Sequence, residues 1–307
     1  MTQMRQYMVP DGLIGQRLDV GVSRLAGISR HGASQLIDRG DVLVDGQAAP
    51  KSLRLESTMI LEVQLPPPPC VHPVPTPANF DVLYDDDDVI VINKPPGIAA
   101  HSGPGWDGPT VIGALLASGI RVSTSGPTER KGIVHRLDAG TSGAMVVAKT
   151  ERAYGQLKNE FRYRRVTKRY HALVEGHPDP WRGTVDAAIG RRPGKDFRMG
   201  VTYEGKASIT HYDTLEVMPG AALLSIILET GRTHQIRVHM EAIGHPVIGD
   251  PLYRPHKALA DRLGLQRQWL HAVELGFSHP ITHEDIRVEA PYPRDLSEAL
   301  KKIRKAL

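Results

Sequence analysis

The sequence is poor in the residues that mark several classes of protein. One cysteine in 307 residues cannot form an intrachain disulfide or a cysteine-rich zinc site, which excludes a disulfide-stabilised secreted scaffold. No apolar run approaches the ~20 residues that a membrane helix requires. The opening MTQMRQYMVPDG also lacks the apolar segment of a secretory signal. We therefore expect a cytoplasmic protein without membrane association.

Net charge and aromatic content are also low. The chain has a formal net charge of +4 and 5% aromatic residues, so its composition permits a polyanionic partner without requiring one. Residues 1–79 hold seven basic and seven acidic side chains, and the excess, 31 against 27, lies in residues 80–307. Three basic runs there favour a phosphate-binding track over ordinary solvated surface: residues 158–169, 191–198 and 301–305.

A proline-rich segment indicates two domains. Residues 64–79 read QLPPPPCVHPVPTPAN and contain 7 of the 24 prolines, which fix φ and lack the N–H that helices and sheets use. We predict a linker over residues 66–79, with a loop packed on one domain as the alternative. The linker separates a small α/β module, residues 12–65, from a larger domain, residues 80–307.

The predicted fold class is α+β. In the module, two short helices, the second capped by Ser29, precede an Asp45-Gly46 hairpin turn and a strand at 59–65. The larger domain is rich in strand patterns, which predicts a mainly antiparallel, mixed sheet. The strands predicted there are residues 89–93, 144–148, 170–174 and 223–228, and the helices are residues 110–117, 152–162, 232–243 and 295–306.

Four stretches of the larger domain concentrate the side chains that can carry chemistry. They are residues 132–150 (GIVHRLDAGTSGAMVVAKT), 168–174 (KRYHALV), 229–240 (ETGRTHQIRVHM) and 245–253 (HPVIGDPLY). An aspartate before a glycine-rich turn, such as Asp138, can be a plain turn residue. The third stretch, however, is too polar for a core helix and offers Arg232 and Arg237 as cations to a nearby carboxylate, which favours a functional site.

Together with the NKPPG sequence at residues 93–97, these stretches resemble the RluA family of RNA pseudouridine synthases over most of residues 80–293. Module and domain together most resemble the RluD-like branch, which acts on large-subunit ribosomal RNA, and residues 12–65 resemble an S-four-like RNA-binding domain. The resemblance implies an isomerase that converts specific uridines of RNA, above all of large-subunit ribosomal RNA, to pseudouridine. Ala139-Gly140 departs from the charged pair that relatives often carry. We expect a monomer.

The resemblance also implies roles for single residues. Asp138 matches the catalytic aspartate, which acts as the nucleophile, Tyr170 the tyrosine that stacks on the target base, and Arg237 the arginine that pairs with the aspartate. Arg136 matches the arginine that enters the RNA stack where the flipped base was. The remaining residues expected to bind the substrate are Ile236, Arg232 and His234.

These residue types suit the chemistry. Moving a base from a nitrogen to a carbon linkage needs neither a redox cofactor nor a metal-activated water, so we expect no cofactor. The reaction needs a reactive carboxylate against a nucleotide flipped out of its stack. A cation within ~4–6 Å favours the ionised form of a carboxylate, so we predict an ionised Asp138 paired with Arg237. The 14 histidines show no HExxH or Cys/His spacing, so no metal is expected.

Other functions and contacts stay open. A catalytically silent RNA-binding or ribosome-assembly factor could use the same fold. A glycoside or N-glycosyl hydrolase would need a second carboxylate ~5–10 Å from the first, for which Asp250 and Glu229 are the candidates. In the module, polar residues around the second helix are expected to contact RNA, with ordinary exposed surface as the alternative: Ser29, Arg30, His31, Gln35, Arg39 and Lys51.

Overall fold

The chain divides into two units, residues 1–70 and 71–307, in a computed structural model that describes residues 3–28, 30–65, 74–103, 106–192, 198–253 and 257–305. The division falls in the proline-rich segment. Residues 66–73, the predicted cap Ser29 and the side chain of His31 lie outside the described part of the chain. The end of the predicted linker belongs to the second unit, where the Thr76 N–H donates to the Gly113 carbonyl at 3.1 Å.

A four-stranded antiparallel sheet and two helices form the first unit. The elements are β1 (Gln3–Met8), α1 (Leu18–Ala26), α2 (Arg30–Asp38), β2 (Val42–Val44), β3 (Gln47–Ala48) and β4 (Ile60–Leu65), in the sheet order β1-β4-β2-β3. The apolar faces of α1 and α2 pack on the inner side chains of β2 and β4, as helical spacing predicts. Asp45 and Gly46 both have positive φ, which the two-residue hairpin turn requires.

The strand β1 lies upstream of residue 12, the predicted start of the module. It pairs with β4 along its whole length, from Gln3 opposite Leu65 to Met8 opposite Ile60. Met4 and Met8 are 57% and 79% exposed, so this edge strand buries little and lacks the alternating apolar pattern by which a strand is recognised. The unit therefore begins earlier than the sequence pattern indicates.

A nine-stranded sheet is the framework of the second unit. The elements are β5 (Asp81–Asp85), β6 (Val89–Lys94), α3 (Val111–Ala117), β7 (Ser142–Ala148), α4 (Glu151–Arg162), β8 (Thr167–Glu175), β9 (Arg182–Asp186), β10 (Ile189–Arg191), β11 (Met199–Val201), β12 (Ile209–Met218), β13 (Ala221–Leu228), α5 (Gln235–Ala242), α6 (Lys257–Leu263), β14 (Leu270–Ser278), β15 (Asp285–Glu289) and α7 (Arg294–Arg304). The strand order is β5-β6-β7-β14-β8-β13-β12-β9, β15 also pairs with β14, and β10 and β11 pair separately. The β7–β14 pair is parallel and the other named pairs are antiparallel, which confirms a mainly antiparallel, mixed sheet.

Helices cover both faces of the large sheet. Alternate residues of β7 divide between two cores: Met145 faces the core with α3 and α5, whereas Val146 faces the core with α4. Side chains of α6 and α7 pack around Trp269. Tyr170 of β8 and Ile236 of α5 belong to the core with α3 and α5. No described helix has the length and apolar character needed to cross a membrane.

The four strands and four helices predicted for the larger domain are present, with some ends shifted. The helix predicted from residue 232 begins at Gln235. The side-chain oxygen of Gln235 accepts hydrogen bonds from the Arg232 N–H at 3.0 Å and the Thr230 hydroxyl at 2.7 Å. His234 has a φ of 57°, a left-handed conformation that a helix cannot continue through. Residues 230–234 therefore form a turn, which places their side chains at the site described next.

Candidate active site

A cleft of about 500 Å³ opens in the second unit, and three of the four chemistry-bearing stretches line it. Its walls come from the loop before β7, the end of α4, the start of β8, and the turn that leads from β13 into α5. The fourth stretch, residues 245–253, lies behind the cleft. From there, Tyr253 contacts His234 and Asp250 contacts Arg237.

Asp138 lies in the loop that enters β7, and a buried lysine supports this loop from one side. The Nζ of Lys94, which is fully buried, donates to the carbonyls of Pro95 and Ile98 at 2.8 Å and of Ala139 at 3.3 Å. Burial lowers the pKa of Lys94 to about 7, and the negative charge of Asp138 opposes this shift. Lys94 thus holds the peptide directly after Asp138.

The other side of the loop is held through β14 and α7. Arg267 Nη1 donates to the Gly140 carbonyl at 2.9 Å, and the same guanidinium binds both carboxylate oxygens of Asp295 at 2.7 and 3.0 Å. Gly143 has a φ of 122°, and a Cβ there would lie 2.2 Å from the Ala272 carbonyl oxygen. Glycine is therefore required for β7 to approach β14 at this point.

The predicted pairing of Asp138 with Arg237 is present. Arg237 Nη1 donates to Asp138 Oδ2 at 3.1 Å, and only 4% of the arginine side chain and 16% of the aspartate side chain are exposed. Asp138 Oδ1 has no hydrogen-bond partner among the described residues. The site therefore holds a carboxylate that is charge-paired on one oxygen and open on the other.

An apolar and aromatic surface lies beside this carboxylate. Tyr170 is 7% and Ile236 4% exposed, and both line the cleft with Leu228 and Leu270. Burial, and then the charge of Asp138, raises the pKa of Tyr170 well above its usual range. The phenol is therefore protonated at neutral pH, and its ring offers a flat face next to the carboxylate.

His234 links Asp138 to the fourth stretch. Its Nδ1 lies 2.8 Å from the Tyr253 hydroxyl, and its Nε2 lies 3.9 Å from Asp138 Oδ2. Burial lowers the pKa of His234, although the Asp138 charge opposes this shift. The imidazole is therefore neutral at pH 7 and does not add a second cation beside Arg237.

Cations surround the mouth of the cleft. Arg136 is exposed and has no ion-pair partner in the described part of the chain. Arg232 is also exposed, and its Nε donates to the Ala207 carbonyl at 3.2 Å. The other basic residues lining the cleft are Arg130, Arg162, Arg164 and Lys168, whereas its acidic lining among the described residues consists of Asp138 and Glu229. This charge excess suits a polyanionic ligand.

Of the three basic runs, only residues 158–169 contribute described residues to the cleft lining. In residues 191–198, Arg192 forms an ion pair with Glu241, and residues 193–197 lie outside the described part. In residues 301–305, Arg304 pairs with Glu216. The predicted phosphate-binding track therefore has structural support at Arg162, Arg164 and Lys168 of its first run.

The two carboxylates considered for a hydrolase are both engaged elsewhere. Asp250 has no exposed surface, and both its oxygens accept hydrogen bonds from Arg237. Glu229 accepts from Arg164 Nη1 at 3.1 Å and lies 2.8 Å from His211 Nε2. This arrangement gives no support to a second carboxylate acting with Asp138. No three His, Cys, Asp or Glu residues group around a possible metal position within the described ranges.

The polar residues predicted to contact RNA in the first unit are mostly exposed and partly ion-paired. Arg30 binds the buried carboxylate of Asp19 at 3.0 Å, which gives it a structural role. Arg39 pairs with Asp41 at 2.9 Å and Lys51 with Asp38 at 3.2 Å, and Gln35 is exposed. Exposed pairs of this kind contribute little to stability, so Arg39 and Lys51 can exchange their partners for phosphate.

Sequence reasoning assigned no role to Lys94, Tyr253 or Arg267. The NKPPG sequence containing Lys94 served only to support the resemblance, and lysine is rarely fully buried. Tyr253 lies in the fourth chemistry-bearing stretch, but no role was assigned to it, and Arg267 lies in a segment without a recognisable pattern. The contacts of both with the site arise from the packing of residues distant in sequence.

Comparisons with known proteins agree with this geometry. Residues 88–242 match the family described as RNA pseudouridylate synthase. An uncharacterized RNA pseudouridine synthase of Mycobacterium bovis is 53% identical over 305 residues, which cover 98% of each chain. A ribosomal large subunit pseudouridine synthase D of Xanthomonas campestris is 39% identical over 99% of this chain and 93% of its own.

Solved structures give the same result. Human RNA pseudouridylate synthase domain containing 4 has a TM-score of 0.58 and 26% identity, and the match covers 73% of this chain and 92% of that one. Human RNA pseudouridylate synthase domain containing 1 has a TM-score of 0.57 and 32% identity, with 70% and 84% covered. The chain therefore belongs to the RNA pseudouridine synthases, in the RluD-like branch of the RluA family, and is an enzyme that isomerises uridine in RNA.

Proposed function

We propose that Asp138 is the nucleophile of this enzyme and that its substrate is large-subunit ribosomal RNA. The assignment of Asp138 as the nucleophile rests on the hydrogen bonding of its carboxylate. Asp138 lies in the cleft, and its Oδ2 accepts a hydrogen bond from Arg237 at 3.1 Å. Its Oδ1 accepts no hydrogen bond from the described residues, so the lone pairs of that oxygen are available for bond formation. Arg237 places a cation beside this carboxylate, and a carboxylate oxygen with available lone pairs is a group that can attack carbon.

The reaction is balanced without any external oxidant or reductant. The bond between the sugar C1′ and the uracil N1 breaks, a bond between C1′ and C5 forms, the C5 proton is lost, and N1 gains a proton. Asp138 could start this sequence by attacking C1′ or by adding to the uracil ring. In both routes the carboxylate becomes an ester and the negative charge moves to the uracil.

The other cleft residues are proposed to hold the flipped nucleotide. Tyr170 would stack on the uracil, an interaction worth ~1–3 kcal/mol, and Ile236 would complete the apolar floor. Arg136, exposed and unpaired among the described residues, would fill the gap in the RNA stack with its planar guanidinium. Arg232 and His234 would bind the substrate at the turn before α5.

Two observations support ribosomal RNA as the substrate. Relatives at 39% and 36% identity over nearly the whole chain are named ribosomal large subunit pseudouridine synthase D. The cleft also has a cationic rim, and phosphate contacts of this kind position a nucleic acid without reading its sequence. The first unit would add contacts to a long RNA through Gln35, Arg39 and Lys51.

Pseudouridine mapping tests both parts of the proposal. Ribosomal RNA lacking pseudouridine is incubated with the wild-type enzyme, with Asp138→Asn, and with Asp261→Asn, an exposed control on α6. We expect pseudouridine at defined uridines with the wild type and the control, and none with Asp138→Asn. Modification by Asp138→Asn would refute the nucleophile, whereas modification of transfer RNA alone would refute the substrate. Release of free uracil would indicate a hydrolase.

The contribution of the first unit is tested by replacing Gln35, Arg39 and Lys51 together with alanine. We expect weaker binding of long ribosomal RNA and an unchanged rate on a short substrate that reaches only the cleft. Unchanged affinity for the long RNA would contradict RNA contact by these residues.

A further inference from the structure

A second carboxylate, Asp250, holds Arg237 from the side opposite to Asp138. The Nε and Nη2 of Arg237 donate to the two oxygens of Asp250 at 2.6 and 2.8 Å, whereas only Nη1 donates to Asp138, at 3.1 Å. The geometry is the two-pronged arginine–carboxylate pair, which fixes the plane of a guanidinium as well as its position. Asp250 therefore fixes the orientation of Arg237 through two hydrogen bonds, whereas Asp138 accepts a single one.

Asp250 is itself rigidly held. It has no exposed surface, and its Oδ1 also accepts the N–H groups of Leu252 at 2.8 Å and Tyr253 at 3.2 Å. The ring of Tyr253 lies 5.0 Å from the Arg237 guanidinium carbon, which closes one face of the pair. Asp250 does not line the cleft, so it acts on the reaction through its neighbours, of which Arg237 is the one that donates a hydrogen bond to Asp138.

The charges of the three residues change during the proposed reaction. Asp138, Arg237 and Asp250 together carry one negative charge at rest. When Asp138 forms its bond to carbon, its carboxylate becomes a neutral ester and its charge moves to the uracil. Arg237 would then be a buried cation facing an ester, and an uncompensated buried charge is strongly unfavourable.

We propose that Asp250 is a positioning residue that keeps Arg237 oriented and charge-compensated while Asp138 is neutral. This inference rests on the proposed role of Asp138 as the nucleophile. Because Asp250 keeps its negative charge throughout the covalent step, the Arg237 guanidinium retains a charged partner after Asp138 has become a neutral ester. Without the Asp250 charge, Arg237 would bind the resting Asp138 more tightly and disfavour ester formation.

The direct test is Asp250→Asn. Asparagine keeps the shape and the oxygen that accepts the two backbone N–H groups, but it removes the charge and turns an NH₂ group toward Arg237. We expect kcat to fall roughly 10- to 100-fold, the range that the loss of a charge-assisted hydrogen bond supports. KM should change less than about threefold, since Asp250 is outside the cleft. Glu216→Gln, which disrupts a two-pronged pair with Arg304 outside the cleft lining, is the matched control and should keep the wild-type kcat.

A double-mutant cycle separates positioning from a general structural role. In an Arg237→Gln background, Asp250 has no guanidinium to hold, so adding Asp250→Asn should lower kcat no further. It should also raise the Tm of Arg237→Gln, because that variant leaves Asp250 as a buried charge without its partner. If Asp250→Asn alone does not fold, these comparisons within the Arg237→Gln background still test the proposal.

Each outcome has a distinct meaning. A wild-type kcat for Asp250→Asn, or an equal loss of kcat in both backgrounds, would overturn the inference. A parallel loss of RNA affinity and Tm with no specific loss of kcat would do the same, as it would indicate support of the fold alone. If Asp138→Asn retains activity, the proposed function fails instead, and that result is read independently of Asp250.

Discussion

The substitution Gly143→Ala should separate the two strands that carry the site. Gly143 lies at the start of β7, five residues after Asp138, and β7 runs parallel to β14 there, with Gly143 opposite Ala272. An added Cβ would lie 2.2 Å from the Ala272 carbonyl oxygen and 2.6 Å from its nitrogen. Both atoms are backbone, so no side-chain rotation can relieve the overlap, and β7 must move away from β14.

The expected destabilisation follows from two contributions. The φ of 122° is unfavourable for any residue with a Cβ, at a cost of ~1–3 kcal/mol. Forcing an extra carbon into a packed position costs another ~1–3 kcal/mol. We therefore expect Gly143→Ala to lower the free energy of unfolding by ~2–6 kcal/mol, a large part of the ~5–15 kcal/mol typical of a folded protein. Displacement of the adjoining loop should also lower kcat, because ~1 Å of misplacement can cost ~100-fold.

The loss of unfolding free energy is measured by urea unfolding monitored by circular dichroism. The loss of kcat is measured by the rate of pseudouridine formation. Gly155→Ala is the matched control. Gly155 lies on the exposed side of α4, and a Cβ added there would meet no other atom within 4 Å, so alanine should stabilise the helix by up to ~1 kcal/mol. A Gly143→Ala protein that unfolds at the wild-type urea concentration would refute the reasoning, since it would mean that β7 and β14 can part without any cost in stability.

Three further predictions concern the surroundings of Asp138. Burial lowers the pKa of Lys94 to about 7 in the folded protein, so above that pH the unfolded chain binds more protons than the folded one. The unfolding free energy of the wild type relative to Lys94→Met should therefore rise between pH 7 and pH 9, by at most ~1.4 kcal/mol per pH unit. A difference between the two proteins that does not change with pH in urea unfolding would contradict this. Lys168→Ala should weaken RNA binding. In titrations at several salt concentrations, the slope of log binding constant against log salt concentration should become smaller by ~0.7–0.9 for each phosphate that the lysine neutralises. Lys158→Ala, which is outside the cleft lining, should leave this slope unchanged. Tyr253→Phe removes the hydroxyl that meets His234 at 2.8 Å and accepts the Met199 N–H at 3.2 Å, and it keeps the ring beside Arg237. The contact with His234 is worth ~0.5–1.5 kcal/mol, so kcat should fall roughly 2- to 12-fold; a drop as large as that of Asp138→Asn would show that the hydroxyl does more than orient the imidazole.

Much of the fold could be predicted because its signals are local. The strand that became β6 is a run of apolar residues buried on both sides, and α4 begins where Thr150 accepts the Ala153 N–H, a cap that is recognisable in sequence. Some of the elements that sequence reasoning missed carry weaker local signals, although the long strands β12 and β14 were missed as well. The edge strand β1 exposes most of its side chains, and β10 and β11 have three residues each.

The active-site sequences were recognisable for a related reason. Asp138, Tyr170 and Arg237 each lie in a short stretch whose composition is unusual for its secondary structure, so the resemblance to a family could be stated from the sequence. The contact between Asp138 and Arg237 was predicted from the family resemblance and from the opposite charges of the two side chains, and it is present at 3.1 Å. From the sequence, Asp250 was a candidate only as a second acid for hydrolysis, whereas the structure buries it against Arg237.

The sequence by itself determined the class of chemistry, the two-unit organisation on either side of the proline-rich segment, and the residues that meet at the cleft. Only the tertiary structure decided that Asp250 compensates Arg237 and which distant backbone carbonyls hold Lys94 and Arg267. Lys94 and Ala139 are 45 residues apart, and Arg267 and Gly140 are 127 residues apart. Contacts of this range leave no periodic trace along the chain, because they depend on how the sheet brings β6, β7 and β14 side by side. These contacts matter because the cations are buried. A cation on the surface is solvated by water, whereas a buried cation must find its hydrogen-bond acceptors within the protein.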